Sequence, residues 1–110
     1  MAKLKDTRYS IAGRRLIAET PELRVQILTL ESHEEIPWHY HSVITDTFIC
    51  LDGPMVISTR APSAVHNLKS GEIFSIPPDI AHRISGMEGS GCRFVIVQGT
   101  GAYDYFAVNS

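Results

Sequence analysis

Cysteine is scarce in this chain: Cys50 and Cys92 are the only two in 110 residues, and no Cys-x-x-Cys spacing occurs. A disulfide framework is therefore excluded, and a chain of this length buries a core without one. Long apolar runs are missing as well. The longest, such as Phe94-Val95-Ile96-Val97, fall far short of the roughly 20 residues a membrane helix needs, so no membrane partner is expected. Neither sign of charge is in excess: 10 Lys and Arg against 12 Asp and Glu leave a formal charge of -2. Without a basic stripe for phosphate backbones, nucleic acid is not an expected partner. The start, Met1-Ala2-Lys3-Leu4-Lys5-Asp6, is charged and leads into no apolar run, unlike a secretion signal, and the expected location is the cytoplasm. Internal repeats, linkers and low-complexity tracts are also lacking, so residues 1–110 read as one domain.

A convincing helical period over ten or more residues is absent too, and what stands in its place is strand and turn. Segments 14–19, 23–30, 47–51, 55–58, 64–68, 73–76, 81–85 and 93–98 are rich in β-branched and aromatic residues. Between them lie Thr20-Pro21-Glu22, Asp52-Gly53-Pro54, Ala61-Pro62-Ser63, Ser70-Gly71, Pro77-Pro78-Asp79 and the segment from Gly86 to Gly91, whose residues suit turns. Eight or so short strands at this spacing predict an all-β fold, a small antiparallel barrel or sandwich, in which closure removes exposed edges.

The chemistry-bearing residues are His39, His41 and His82, with Asp46 beside the first pair. In an extended strand residues i and i+2 share a face, so His39-x-His41 sets two imidazoles side by side without a special turn. Imidazole nitrogens bind first-row transition metals readily, and two or three histidines with one carboxylate are a common catalytic ligand set. Two distant segments can thus supply one metal site.

The two segments resemble the paired motifs of the cupins, small β-barrel (jelly-roll) proteins with a metal at the barrel mouth. The first cupin motif runs Gly, five residues, His-x-His, three or four residues, Glu, six residues, Gly; here His39-x-His41, four residues, Asp46, six residues and Gly53 follow it. The second runs Gly, five residues, Pro-x-Gly, two residues, His, three residues, Asn; here Gly71, Pro77-Pro78-Asp79, His82 and Gly86 follow it. The chain departs from the pattern in having Asp46 for Glu, His33 for the opening Gly, Asp79 for the turn Gly and Gly86 for Asn. Aspartate tolerates the left-handed conformation better than most residues, so the turn before His82 is expected to survive. The resemblance implies that His39, His41, Asp46 and His82 hold one divalent transition metal, compatible with Fe, Mn, Ni, Co, Cu or Zn.

Strand parity then predicts the surroundings. If Asp46 points inward so do Phe48 and Cys50, while Thr47, Ile49 and Leu51 face away; Ile80 and Ile84 share the face of His82. Phe48, Cys50, Ile80 and Ile84 are thus the expected pocket wall. Trp38 and Tyr40 face away from the metal, and an outward aromatic pair points to packing against another strand or subunit; with cupins often dimeric, a homodimer is expected. His33 and His66 lack matched partners and read as ordinary hydrogen-bonded residues. Cys50 reads as a small buried hydrophobe and Cys92 as a strand start. Arg60 and Arg83 read as solvent-facing, with a bidentate clamp on a substrate carboxylate as the alternative.

Functionally, the resemblance implies a metal-dependent enzyme acting on a small oxygenated metabolite, an organic acid or sugar derivative, of oxygenase, isomerase, decarboxylase or lyase type. A non-catalytic cupin that binds or senses a small ligand is the alternative. A third reading makes the histidines structural and places the function in the Trp38 and Tyr40 face. Fold does not choose among these.

Overall fold

The computed structural model describes residues 11–87 and 90–109. Met1 to Asp6, and Glu88 and Gly89 of the last expected turn, lie outside the described residues. The described chain is strand and turn throughout: β1 (Gly13–Thr20), β2 (Leu23–Leu30), β3 (Glu35–Tyr40), β4 (Thr45–Asp52), β5 (Met55–Thr59), β6 (Ala64–Leu68), β7 (Ile73–Ile76), β8 (His82–Gly86), β9 (Cys92–Gly99) and β10 (Phe106–Ala107). They form two five-stranded antiparallel sheets, ordered β1-β2-β9-β4-β7 and β10-β3-β8-β5-β6. The fold is the expected all-β jelly roll. Its strands number more than the eight or so expected because Pro37 and the register slip interrupt the pattern of β3, and because the two-residue β10 is too short to carry a pattern.

Alternation builds the interior. On β4, Asp46, Phe48 and Cys50 are buried while Thr47, Ile49 and Leu51 are half-buried on the other face, as parity requires. On β9, Cys92, Phe94, Ile96 and Gln98 point inward in the same way. The core between the sheets is made of Leu28, Leu30, Ile36, Phe48, Cys50, Met55, Ile57, Leu68, Ile76, Ile84, Cys92, Phe94 and Ile96, with Ile80 packed against it. Towards one end the inward positions change from apolar to polar: Arg24 and Gln26 precede Leu28 on β2, Gln98 follows Ile96 on β9, and Asp46 precedes Phe48 on β4. The functional end of the jelly roll is therefore written into three adjacent strands.

Left-handed residues hold two turns, His33 between β2 and β3 at the apolar end and Asp79 before β8 at the polar end. His33 has φ 77° and Asp79 has φ 70°. Both stand where the cupin motifs carry glycine, so the backbone keeps the glycine conformation at those turns although the side chain has changed. The Asp79 N–H donates to the His41 carbonyl at 2.7 Å, tying the turn before β8 to the end of β3.

Candidate metal centre

Three strands, β3 and β8 of one sheet and β4 of the other, bring the ligand candidates together. His39 on β3 pairs in register with His82 on β8, and Asp46 on β4 pairs with Gln98 on β9. The β3–β8 register slips between Ile36 and His39, and Pro37, which has no N–H to give a ladder, sits in that irregularity. The slip lets Ile36 and His39 both face inward despite their odd separation, with Ile36 in the core and His39 at its polar edge. His41 follows two residues later on the same face. All four side chains are buried, His39 at 4%, His41 at 2%, Asp46 at 1% and His82 at 1% exposure. One ligand atom from each lies within 4.8 Å of those from the others.

The hydrogen bonds orient the rings. Nδ1 of His39 lies 2.7 Å from the Pro37 carbonyl, Nδ1 of His41 lies 2.6 Å from the Asp104 carbonyl, and Nδ1 of His82 lies 2.8 Å from the Ile80 carbonyl. A carbonyl oxygen only accepts, so in each ring Nδ1 carries the proton and donates it. In the neutral ring the other nitrogen, Nε2, is then a bare lone pair. Nε2 of His41 and Nε2 of His82 stand 2.9 and 2.8 Å from the same Oδ2 of Asp46. Lone pairs facing a carboxylate oxygen repel unless a proton or a cation lies between them. The donor set fits a divalent transition metal on that ground: three preset Nε2 atoms, one carboxylate, and every Nδ1 already supported as metal-bound imidazoles require.

Asp46 is held from its other side. Gln98 Nε2 donates to Asp46 Oδ1 at 3.0 Å, and Arg24 donates through Nε and Nη2 to Gln98 Oε1 at 3.2 and 3.0 Å. Arg24, Gln98 and Asp46 are register partners across β2, β9 and β4, so this chain is a cross-strand row on one face of one sheet. Burial alone would raise the Asp46 pKa, but the His41 and His82 rings against it, which donate to the carboxylate whenever Nε2 is protonated, overcome it and hold the carboxyl well below the usual range. At His41 burial opposes the charged form, yet the hydrogen bond and charge of Asp46 outweigh it and raise the pKa. His39 has no such partner: burial, with the neighbouring His82, lowers its pKa to about 3. Its ring instead stacks on Tyr105, 4.7 Å between centroids and 12° between planes.

Phe48 and Ile84 line the narrow cavity beside His39 and Asp46, together with Arg14, Arg24, Gln26, Leu28, Ile36, Ile96, Gln98 and Tyr103. Cys50 lies deeper, in the apolar core, and Ile80 packs against that core while its carbonyl takes the His82 ring. Arg60 and Arg83 are not at the cavity. Arg60 lies 3.9 Å over the Trp38 ring on the outer face, and Arg83 lies 3.8 Å from Glu35. Tyr40 stacks on Phe106 of the same chain, 5.0 Å between centroids, so both outward aromatics have partners within the fold. His66 stacks on Phe74 at 4.1 Å, away from the centre. Arg24, Gln26 and Gln98 escaped the sequence reading although a signal existed: each continues an inward-facing series of apolar residues with a polar one. Asp104, which also binds the Ser42 N–H at 2.8 Å, carries no such signal, because it lies in an irregular segment whose place depends on the whole fold.

Comparison with known proteins bears on the fold and the family. Among curated proteins no match was found. Among solved structures, a protein with a double-stranded β-helix domain from Klebsiella pneumoniae is 24% identical, with TM-score 0.74 over 87% of this chain and 84% of that one. A cupin-2 domain containing protein from Shewanella frigidimarina is 26% identical, with TM-score 0.66 over 82% of each chain. An oxalate decarboxylase from Lactobacillus farciminis is 14% identical, with TM-score 0.69 over 79% of this chain and 27% of that one. Residues 26–103, which contain both histidine segments and the Arg24-side strand β2 from Gln26 onward, match the family model described as the cupin domain, and the chain belongs to the cupin family.

Proposed function

We propose that this cupin is a metal-dependent enzyme acting on a small oxygenated metabolite, an organic acid or sugar derivative, at a centre held by His39, His41, Asp46 and His82. The observation that carries the proposal is the orientation of the three rings, each with Nδ1 committed to a carbonyl and Nε2 left for a cation beside Asp46 Oδ2. One divalent ion of the series Fe, Mn, Ni, Co, Cu or Zn, bound there, would supply Lewis-acid polarisation of a substrate oxygen or a lowered pKa for bound water. The chain's own residues fix the imidazole tautomers, hold the Asp46 carboxylate ionised, and bury the centre so that charge interactions are strong. The oxalate decarboxylase shares the fold at 14% identity, which supports the architecture and not its reaction.

A second reading, a non-catalytic cupin that binds or senses a small ligand, is favoured by one observation. Among the described residues lining the cavity, Asp46 is the only carboxylate, so no acid or base stands outside the proposed ligand set except the phenol of Tyr103. Elemental analysis of freshly purified protein, followed by a metal-exchange screen against hydroxy acids, keto acids and sugar acids, separates the readings. Stoichiometric metal with turnover of one class supports the enzyme. Stoichiometric metal with saturable binding and no turnover supports the binder, and absence of metal affinity in every ion tried rejects both. The working state we propose is a cytoplasmic homodimer that binds neither nucleic acid nor membrane; no helix among the described residues is long and apolar enough to cross a bilayer. Sedimentation at micromolar concentration tests the dimer.

A further inference from the structure

The cavity beside the centre carries polar groups that metal ligation does not use. Gln26 is 2% exposed, lines the same cavity as His39 and Asp46, and its Oε1 has no hydrogen-bond partner. A buried acceptor left unpaired costs about 1–3 kcal/mol, so a group that donates to it is expected from whatever enters. Arg24 stands at the boundary between this cavity and an open outer groove of about 430 Å³, and with Gln98 and Tyr103 it belongs to both. Its guanidinium lies 4.0 Å over the Tyr103 ring and gives Nε and Nη2 to Gln98, which fixes the plane and leaves Nη1 for another acceptor. The inner cavity is small, with free space of about 10 Å³, room for about one water-sized group.

Charge points the same way. With neutral imidazoles, Asp46 is the only carboxylate among the described residues lining the cavity and shares it with two guanidinium groups, Arg14 and Arg24, so it does not also compensate the two charges of a divalent ion in that buried place. An anion is the complement that such a site lacks.

We propose that the ligand is a 2-hydroxycarboxylate, bound with its carboxylate on Arg24 at the boundary, its 2-hydroxyl inside donating to Gln26 Oε1, and the rest of the molecule in the outer groove. The groove offers Pro21 and Leu23 beside Glu19 and Thr20, so the third substituent meets a surface of mixed polarity. This inference deepens the metal-centre reading, and the size match is with the class: a hydroxyl is about the size of the inner space, whereas a ring is not.

The test uses full-length protein loaded with one ion, Zn or Ni, whose affinity is first measured alone. Lactate, propionate and lactamide are then titrated calorimetrically, since propionate lacks only the hydroxyl and lactamide only the negative charge. The expected result is at least about tenfold weaker binding of both analogues than of lactate. Gln26→Leu should make lactate and propionate bind alike, while Arg24→Gln should make lactate and lactamide bind alike; Gln26→Leu should keep the metal affinity within about threefold, Arg24→Gln, which also releases Gln98 behind Asp46, is titrated at saturating ion, and both should keep a cooperative thermal transition. Arg24→Lys, which restores the charge without the fork, should recover part of the lactate preference. If lactamide matches lactate on the wild-type protein, or if neither variant changes the pattern, the inference is overturned while the metal centre stands. If no ion binds, the metal reading fails; lactate selectivity that survives in metal-free protein and still depends on Arg24 and Gln26 upholds the subsite by itself.

Discussion

A carboxylate shared between two imidazoles has two oxygens to place, and Gln98 decides which one faces the histidines. By donating to Oδ1 it leaves Oδ2 for His41 and His82, so a cation would meet Asp46 through one oxygen only. Gln98→Leu is therefore expected to weaken metal binding about 10- to 100-fold, the usual effect of losing a group that orients a ligand, as read by competition with a chromophoric chelator. His39 and His41 differ in the proton they accept. In the metal-free folded chain burial pushes the His39 pKa down to about 3, whereas in the unfolded chain it stays near the ordinary histidine value of about 6.5. The unfolded state then binds more protons as pH falls below that value, so the metal-free protein loses stability from about pH 6.5 down towards 3. Between pH 6.5 and 4.5 this share is about 2–3 kcal/mol. His41 has the opposite sign, since its raised pKa stabilises the fold at low pH and that contribution fades as pH rises through the folded value. Denaturant titrations of metal-free wild type and His39→Asn at pH 7 and 4.5 check the first effect: the variant should lose about 2–3 kcal/mol less on acidification.

At the scale of strands and turns, the most readable parts were those with strong alternation or a strong turn. β2, β6 and β7 have the bounds expected of them, and β4, β5, β8 and β9 differ by a residue or two at their ends, where pairing partners and not local sequence decide. β3 was harder because Pro37 breaks its ladder and Ile36 and His39 face inward out of phase, a pattern that resolves only once β8 is beside it. The ligand candidates were legible since their spacing is local, whereas the Arg24–Gln98–Asp46 row crosses three strands that sequence order does not place side by side. The turn at Asp79 joins the two histidine segments, so it supplies an element-level prediction. A β-branched residue is strained at φ 70°, and Asp79→Val should cost about 1–2 kcal/mol of stability while also weakening metal binding through the displaced His82; Asp79→Gly should restore both. Paired melting and metal titrations of the two variants decide it. Phe48 couples the centre to the core, 6.2 Å from the His82 ring and 5.8 Å from Phe94, and Phe48→Ala should cost about 3–5 kcal/mol by urea denaturation.

Over the whole molecule, the metal reading becomes a statement about stability that needs no substrate. A core spread over both sheets holds the jelly roll together, and the ligand candidates lie at its polar end, not within its apolar middle. Removing a metal should then lower the melting temperature without unfolding the protein at room temperature. An ion that binds only the folded state at about a thousand times its dissociation constant adds about 4 kcal/mol, or roughly 15 °C or more for a domain of this size. Protons compete for the same nitrogens. His41, with its raised pKa, enters that competition above pH 6.5, whereas His39 stays out of it until near pH 3. The apparent metal affinity should therefore fall by fewer than three decades per pH unit between pH 7 and 5, less steeply than three independent imidazoles would give. Scanning calorimetry with and without chelator should show the shift large at pH 7.5, shrinking towards pH 5, and gone at every pH in a His39→Ala, His41→Ala double variant. A melting temperature unmoved by verified metal removal at pH 7.5 would make the four side chains a satisfied core. Asp46 and His41 would then share a proton where the ion was placed, and the raised His41 pKa would be the whole of their chemistry.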